Sequence, residues 1–280
     1  MEDKERAKII AEGAEAGNRY LNVLESFCGV GKKLYDATAA SQSSEFLIHQ
    51  AHLGFIKILM SLRAFLGFVS SHEAYAQKWN NVFDRSSPSV LARQVFEDIL
   101  SFVYLSEPNL SREEKEFRAE VWKYHGGKEY IEFCELLSPK NSALPGVRVD
   151  HDKIAAIVKS DPLLNNIQER LRDDVEKGRK NRVLYDKAIL QRRGIEEKPY
   201  KAPHKILSNF VHLSGFSSVL MRQSELMEVA YYSSILYLAQ FVAEALGVFV
   251  ETFPESDQVL IKDERDLIAA FRGQLRSPAV

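Results

Sequence analysis

Apolar residues recur at the spacing of one helical face along most of the chain, and no run of alternating apolar and polar positions is bounded by turn signals. The pattern therefore predicts an all-α fold, a multi-helix bundle of about seven to nine helices with no substantial sheet. The first helix is expected over Glu2–Ala39, with a break near Gly13–Asn18 or Gly29–Gly31, followed by a Ser-rich link, Ser41–Ser44. A second, strongly apolar helix should run from Glu45 to Ser71, and an irregular polar stretch, Ala74–Arg85, follows it. Ser87 as N-cap with Pro88 behind it opens a third helix that reaches Leu105 and stops before Pro108. Ser111 with Glu114 three residues on is a capping box for a fourth, which the Gly126-Gly127 pair should bend before it ends at Leu137.

Ser138–Val149 holds Pro139, Asn141, Pro145 and Gly146 and reads as the best loop in the chain. Asp150 can cap a short helix to Val158, and Asp161-Pro162 then starts one long charged helix to Arg193. After a linker, Gly194–Pro203, three more helices are expected at Lys205–Leu220, Ser224–Phe253 and Asp263–Arg276, with a frayed tail at Ser277–Val280. No internal repeat is visible, so 1–280 is read as a single helical domain, and any subdivision should fall at the 138–149 loop.

Composition narrows this picture modestly. The 280 residues are 45% hydrophobic, enough to bury a core without disulfides or metals. The formal net charge of −2 supplies no global field for nucleic acid or an anionic membrane, so any such contact would need a local patch. Cys28 and Cys134 sit among apolar neighbours, read as small buried hydrophobes, and suit a reducing compartment. No apolar stretch follows the mixed-charge start, so no signal peptide is expected. The uncharged run Val229–Ala243, closed by Glu228 and Glu244, is too short to span a bilayer and reads as a buried core helix. The expectation is a cytoplasmic protein that does not enter the membrane.

Several polar residues sit where a bland helix would not place them. On the third helix Arg93, Gln94, Glu97, Asp98, Ser101 and Tyr104 share one side, opposite Val95, Phe96, Ile99, Phe102 and Val103. This side is either solvated, with Arg93 and Glu97 paired at i,i+4, or it lines an interhelical cleft with Arg93 as an anion anchor. On the apolar second helix, His49, His52 and Arg63 form a narrow stripe. A buried Arg63 would need a carboxylate or carbonyl partner, unless the stripe is the floor of an anion pocket. Ser233, Tyr237, Gln240 and Glu244 make a polar stripe on a late apolar helix that could face Arg63. His212, between apolar residues with Ser208 four before it, is either a core-edge histidine or a general base. The basic cluster Arg179-Lys180-Asn181-Arg182, followed by Arg192-Arg193, is interleaved with acids, as on a solvated face, with nucleic-acid contact the weaker alternative. No Walker loop, dinucleotide fingerprint, zinc-protease or serine-hydrolase motif is present, and no metal or cofactor is expected.

The segments Leu91-Ala92-Arg93-Gln94-Val95-Phe96-Glu97 and Leu207-Ser208-Asn209-Phe210-Val211-His212-Leu213-Ser214 together resemble a group of bacterial helical proteins known only as domains of unknown function, over Ser44 to Phe253. The resemblance implies a helical fold in which this Arg, Glu and His converge, and no activity. More distantly, Arg118-Ala-Glu-Val-Trp-Lys-Tyr-His125 resembles the Arg-x4–6-His motif of the HEPN superfamily of prokaryotic defence and toxin systems, although Ala119 stands where such motifs carry a polar residue. That likeness implies a metal-independent endoribonuclease, with Arg118 on the scissile phosphate and His125 handling the 2′-hydroxyl proton. Two functions are thus expected, in this order. The first is binding of a small anion, a nucleotide or a protein partner in an interhelical cleft, through Arg63, Arg93, Glu97 and His212. The second is HEPN-like RNA cleavage. A homo-oligomer is compatible with either.

Overall fold

The computed structural model describes residues 2–39, 45–76, 86–137, 144–211 and 224–276. Among them every regular element is helical, with ten α-helices of seven residues or more and two short 3-10 helices. Calls on Ser41–Ser44, on most of Ala74–Arg85, on positions 138–143, on His212 and its neighbours to 223, and on the tail lie outside the described residues. The helices are α1 (Glu2–Thr38), α2 (Phe46–Ala76), α3 (Ser86–Leu105), α4 (Arg112–Leu137), α5 (Leu144–Ser160), α6 (Glu169–Glu176), α7 (Asp186–Arg192), α8 (Glu197–Val211), α9 (Ser224–Thr252) and α10 (Lys262–Arg276).

The chain forms two compact units rather than one. The first contains residues 1–44, 48–106 and 190–280, and the second 45–47 and 107–189. The division is therefore not at the 138–149 loop, whose flanking helices α4 and α5 pack together inside the second unit.

The first unit is organised around α9, which touches α1, α3, α8 and α10. Every side chain from Leu238 to Phe249 is buried. A helix enclosed on most sides keeps little polar surface, which is why its sequence is mainly apolar apart from the stripe that holds Gln240 and Glu244. Phe249 stacks on Phe55 of α2 at 3.9 Å and 27°, with Phe253 beside it at 4.7 Å, and Phe96 of α3 meets Phe241 edge-on at 5.3 Å. Among the described residues two helices are long and apolar enough to cross a membrane, because single charges such as Glu244 do not interrupt the hydropathy as an uncharged-run criterion requires. Within these stretches 78% of Tyr231–Thr252 is buried by protein, but only 39% of Phe46–Ser71.

The predicted breaks in α1 and at Gly126-Gly127 do not occur; both helices run through their glycines despite a cost of roughly 1 kcal/mol for each. At Gly31 the neighbouring helix uses the missing side chain, since a Cβ there would lie 2.4 Å from the Leu59 side chain.

The opposite correction applies to the long helix expected over Asp161–Arg193, and it accounts for one helix more than anticipated. That stretch is a 3-10 turn (Pro162–Asn166), α6 and α7. Each of the two α-helices ends in a Schellman motif. After α6, Gly178 takes φ +62°, its N–H donates to the Val175 carbonyl at 2.9 Å, and the Arg179 N–H donates to Asp174 at 2.8 Å. After α7, Gly194 takes φ +68°, its N–H donates to Gln191 at 3.0 Å, and the Ile195 N–H donates to Leu190 at 2.9 Å. Gly178 is doubly constrained, because a Cβ there would also press on Tyr124 and Lys128 at 3.1–3.3 Å. The linker expected over Gly194–Pro203 is mostly helix, since α8 begins at Glu197 and carries Pro203 in its interior.

In the second unit, Ser111 caps α4 as expected, accepting the Glu114 N–H at 3.1 Å. The helix expected from Asp150 starts six residues earlier, at Leu144.

Candidate functional site

Glu244 is fully buried, and the side chains that make this tolerable form the densest charge cluster among the described residues. Glu244 and Glu251 are two turns apart on α9 and share a face. Arg272 and Arg276 are one turn apart on α10. Arg193 is the C-cap of α7, held in place by the Gly194 turn.

Arg193 donates to Glu244 Oε1 at 3.1 Å and to Glu251 Oε2 at 2.6 Å. Arg272 donates from Nε to Glu244 Oε2 at 3.0 Å and from Nη2 to Glu251 Oε1 at 2.6 Å. These four groups close a ring in which each carboxylate offers one oxygen to each arginine. Arg276 adds a further bond to Glu244 Oε2 at 2.7 Å and one from Nη1 to the Arg272 carbonyl at 3.1 Å. Gly247, between the two glutamates, is the seat of the ring, since a Cβ there would lie 2.2 Å from the Arg272 guanidinium.

Burial alone would push the Glu244 carboxyl up, but hydrogen bonds and charge from Arg272 and Arg276 outweigh it and hold the group below its ordinary range. Glu251 behaves alike, with burial opposed by Arg193 and Arg272. Both carboxyls are depressed in the folded state, so their stabilisation is present above their unfolded pKa and is lost as pH falls through the folded one. Thermal midpoints should therefore drop on acidification from about pH 6 to about pH 3, and less steeply in Glu251→Gln than in the wild type. Equal slopes for the two proteins would show that the ring does not carry the effect.

The ring opens on a shallow cleft of about 530 Å³ lined by Arg192, Arg193, Glu251, Arg272, Gly273 and Arg276. Within the cluster three guanidiniums, those of Arg193, Arg272 and Arg276, meet two carboxylates, a formal excess of one positive charge. Arg193 is 9% exposed, yet neither its Nη1 nor that of Arg272 has an acceptor among the described residues. Such N–H groups, held in a planar fork, are suited to a carboxylate or phosphate.

The residues singled out from sequence are placed differently. Arg93 is half-buried, and the i,i+4 pair with Glu97 does not form. Glu97 meets His204 of α8 at 2.9 Å, and Tyr200 stacks on that imidazole at 5.3 Å. A carboxylate of α3 and a histidine of α8 do come together, but through His204, because α8 starts earlier than expected; His212 lies outside the described residues. The supposedly solvated side of α3 is partly interior. Tyr104 is fully buried, and buried Asp98 is held by Lys57 at 2.9 Å, Gln94 at 2.8 Å and Ser61 at 3.1 Å.

Arg63 is exposed on a groove between α1 and α2, and Glu244 faces the arginine ring instead of Arg63. His52 bonds Thr38 at 3.0 Å and stacks on Tyr35 at 4.7 Å. Its pKa is lowered by burial and by His49. In the second unit Arg118 is completely buried and donates to Glu107 and Glu114, both at 2.7 Å. His125 lies two turns along α4, with Nδ1 3.0 Å from the Gly178 carbonyl oxygen.

Both cysteines are free thiols. Among the described residues no group of three or more His, Cys, Asp or Glu is placed to hold a metal ion. Compared with family models, curated proteins and solved structures, the chain matches none of them.

Proposed function

We propose that this chain is a binding protein for a small oxyanionic ligand, one bearing phosphate or carboxylate groups, seated in the cleft formed by Arg192, Arg193, Arg272 and Arg276. The reading is supported by guanidiniums already fixed by Glu244 and Glu251 that line an open cleft, with no acceptor among the described residues for Nη1 of Arg193 or of Arg272. Arginines ordered before the ligand arrives lose little rotamer freedom on binding, so more of the interaction energy appears as affinity. Glu244 and Glu251 position Arg193 and Arg272, and Arg276 supplies the charge in excess of the two carboxylates.

The test is a thermal-shift and calorimetric titration with inorganic phosphate, pyrophosphate, citrate and a nucleoside triphosphate, against chloride at equal ionic strength. A bound anion should stabilise the protein by about 2.7 kcal/mol at a hundredfold excess over its Kd. The gain should vanish in Arg192→Ser/Arg276→Ser, which leaves the four-membered ring intact. If no anion stabilises the wild type beyond chloride, or if the double variant responds equally, the reading is wrong.

A further inference from the structure

The groove between α1 and α2 is a second site, on different residues from the arginine cleft. The two helices run antiparallel along it: Thr38 and Tyr35 meet His52, and Gly31 lies against Leu59. Residues repeating at helical spacing from Glu25 to Asp36 and from Ile56 to Ser70 form its walls, so the groove is about 21 Å long. Its volume is about 690 Å³, within the range of pockets that enclose small organic molecules.

The walls are mainly apolar, with Ile56, Leu59, Met60 and Leu66 on one side and Cys28 and Gly29 on the other. Met60 is 67% exposed, an unusual position for a long apolar side chain with nothing over it. Cβ atoms built at Gly29 and Gly67 would meet nothing within 4 Å, so both glycines widen the groove without being needed for helix packing. Burial keeps the Cys28 thiol protonated, with its pKa raised despite Arg63, so it serves as an apolar wall.

The charges at the groove select the occupant. Lys32 is taken by Asp36. The register of Thr38 with His52 and Gly31 with Leu59 sets Arg63 opposite Phe27, so that Glu25 and Arg63 stand on opposite walls about two residues apart along the groove. They make no ion pair with each other and no hydrogen bond or ion pair with any other described residue. Two charges of opposite sign that form no ion pair among the described residues and flank an apolar trough match a molecule whose polar head carries both signs. We infer that the groove binds an amphipathic zwitterion: an apolar chain against Leu59, Met60 and Leu66, an ammonium-type group at Glu25 and a carboxylate-type group at Arg63.

Three probes with one chain length test this by calorimetry on the full chain: 2-aminodecanoic acid, decanoate and decylamine. The zwitterion should bind at least about fivefold more tightly than either singly charged probe. Glu25→Gln or Arg63→Met should remove that preference, whereas the exchanged pair Glu25→Arg/Arg63→Glu should keep it. Gly67→Leu, which raises helix propensity and fills open space, should weaken all three probes without loss of stability. Equal affinity for the three probes overturns the proposal, as does a preference that survives Arg63→Met or binding that ignores Gly67→Leu. So does sedimentation showing that a second copy, or flotation showing that a lipid vesicle, covers the groove in the wild type but not in Gly67→Leu.

Discussion

Glu244→Gln is expected to destabilise the first unit by about 3–5 kcal/mol, the cost of removing one partner from a buried ion cluster. The substitution keeps shape and volume, so lost packing contributes little. It leaves Arg193, Arg272 and Arg276, which are 9%, 22% and 33% exposed, facing a neutral amide. Repulsion among them is only partly screened at these exposures, so added salt should recover only part of the loss. Glu251→Gln removes the carboxylate at the open side of the same ring, 43% exposed, and should cost far less. The pair of variants, compared by urea denaturation, separates a structural centre from a surface bridge. A change of under about 1 kcal/mol for Glu244→Gln would mean that the arginines rearrange freely, and the idea of a pre-ordered anion seat would fall with it.

Arg118→Met should have a comparable effect in the second unit, again about 3–5 kcal/mol. Its guanidinium has no exposed surface, and Glu107 and Glu114 are themselves 14% and 30% exposed, so removal of the cation leaves two carboxylates in a poorly solvated place. Methionine fills part of the volume, so the loss reports mainly on charge. The HEPN-like reading gives this residue another task, holding a scissile phosphate. A side chain enclosed by protein and committed to two carboxylates contributes stability first. The expected result is loss of the fold, followed by chemical denaturation and near-ultraviolet circular dichroism, and not a selective loss of RNA cleavage. Native stability in Arg118→Lys together with abolished cleavage of a single-stranded RNA would reverse that assignment.

The helices were largely legible because their signals are local. A 3.6-residue period, Ser111 as a cap and a run of apolar residues into α9 each act within a few positions of themselves. The division of the supposed helix over Asp161–Arg193 was local as well. Lys177-Gly178 and Arg193-Gly194-Ile195 are Schellman endings that the surrounding charge pattern masked. By contrast, the local signal at the glycines of α1 and α4 misleads, and at Gly31 the small residue answers the Leu59 side chain of a neighbouring helix and not a break.

The chemistry was less accessible. The polar stripe containing Glu244 was visible, but its partners come from 28, 32 and 51 residues away, and no spacing rule reaches that far. Arg63 was placed in the interior because its helix is apolar over most of its circumference, yet the structure leaves one side of that helix uncovered. Likewise, the Arg93–Glu97 pair was inferred from adjacency on one helix, while Glu97 was met by His204 from another. The amino-acid order thus specified the all-helical class, most helix limits and the need to neutralise a carboxylate inside an apolar helix. Which cations answer that carboxylate, where the chain divides and which grooves stay open were settled by packing between distant segments, because desolvation and charge pairing depend on distance in space and not along the chain.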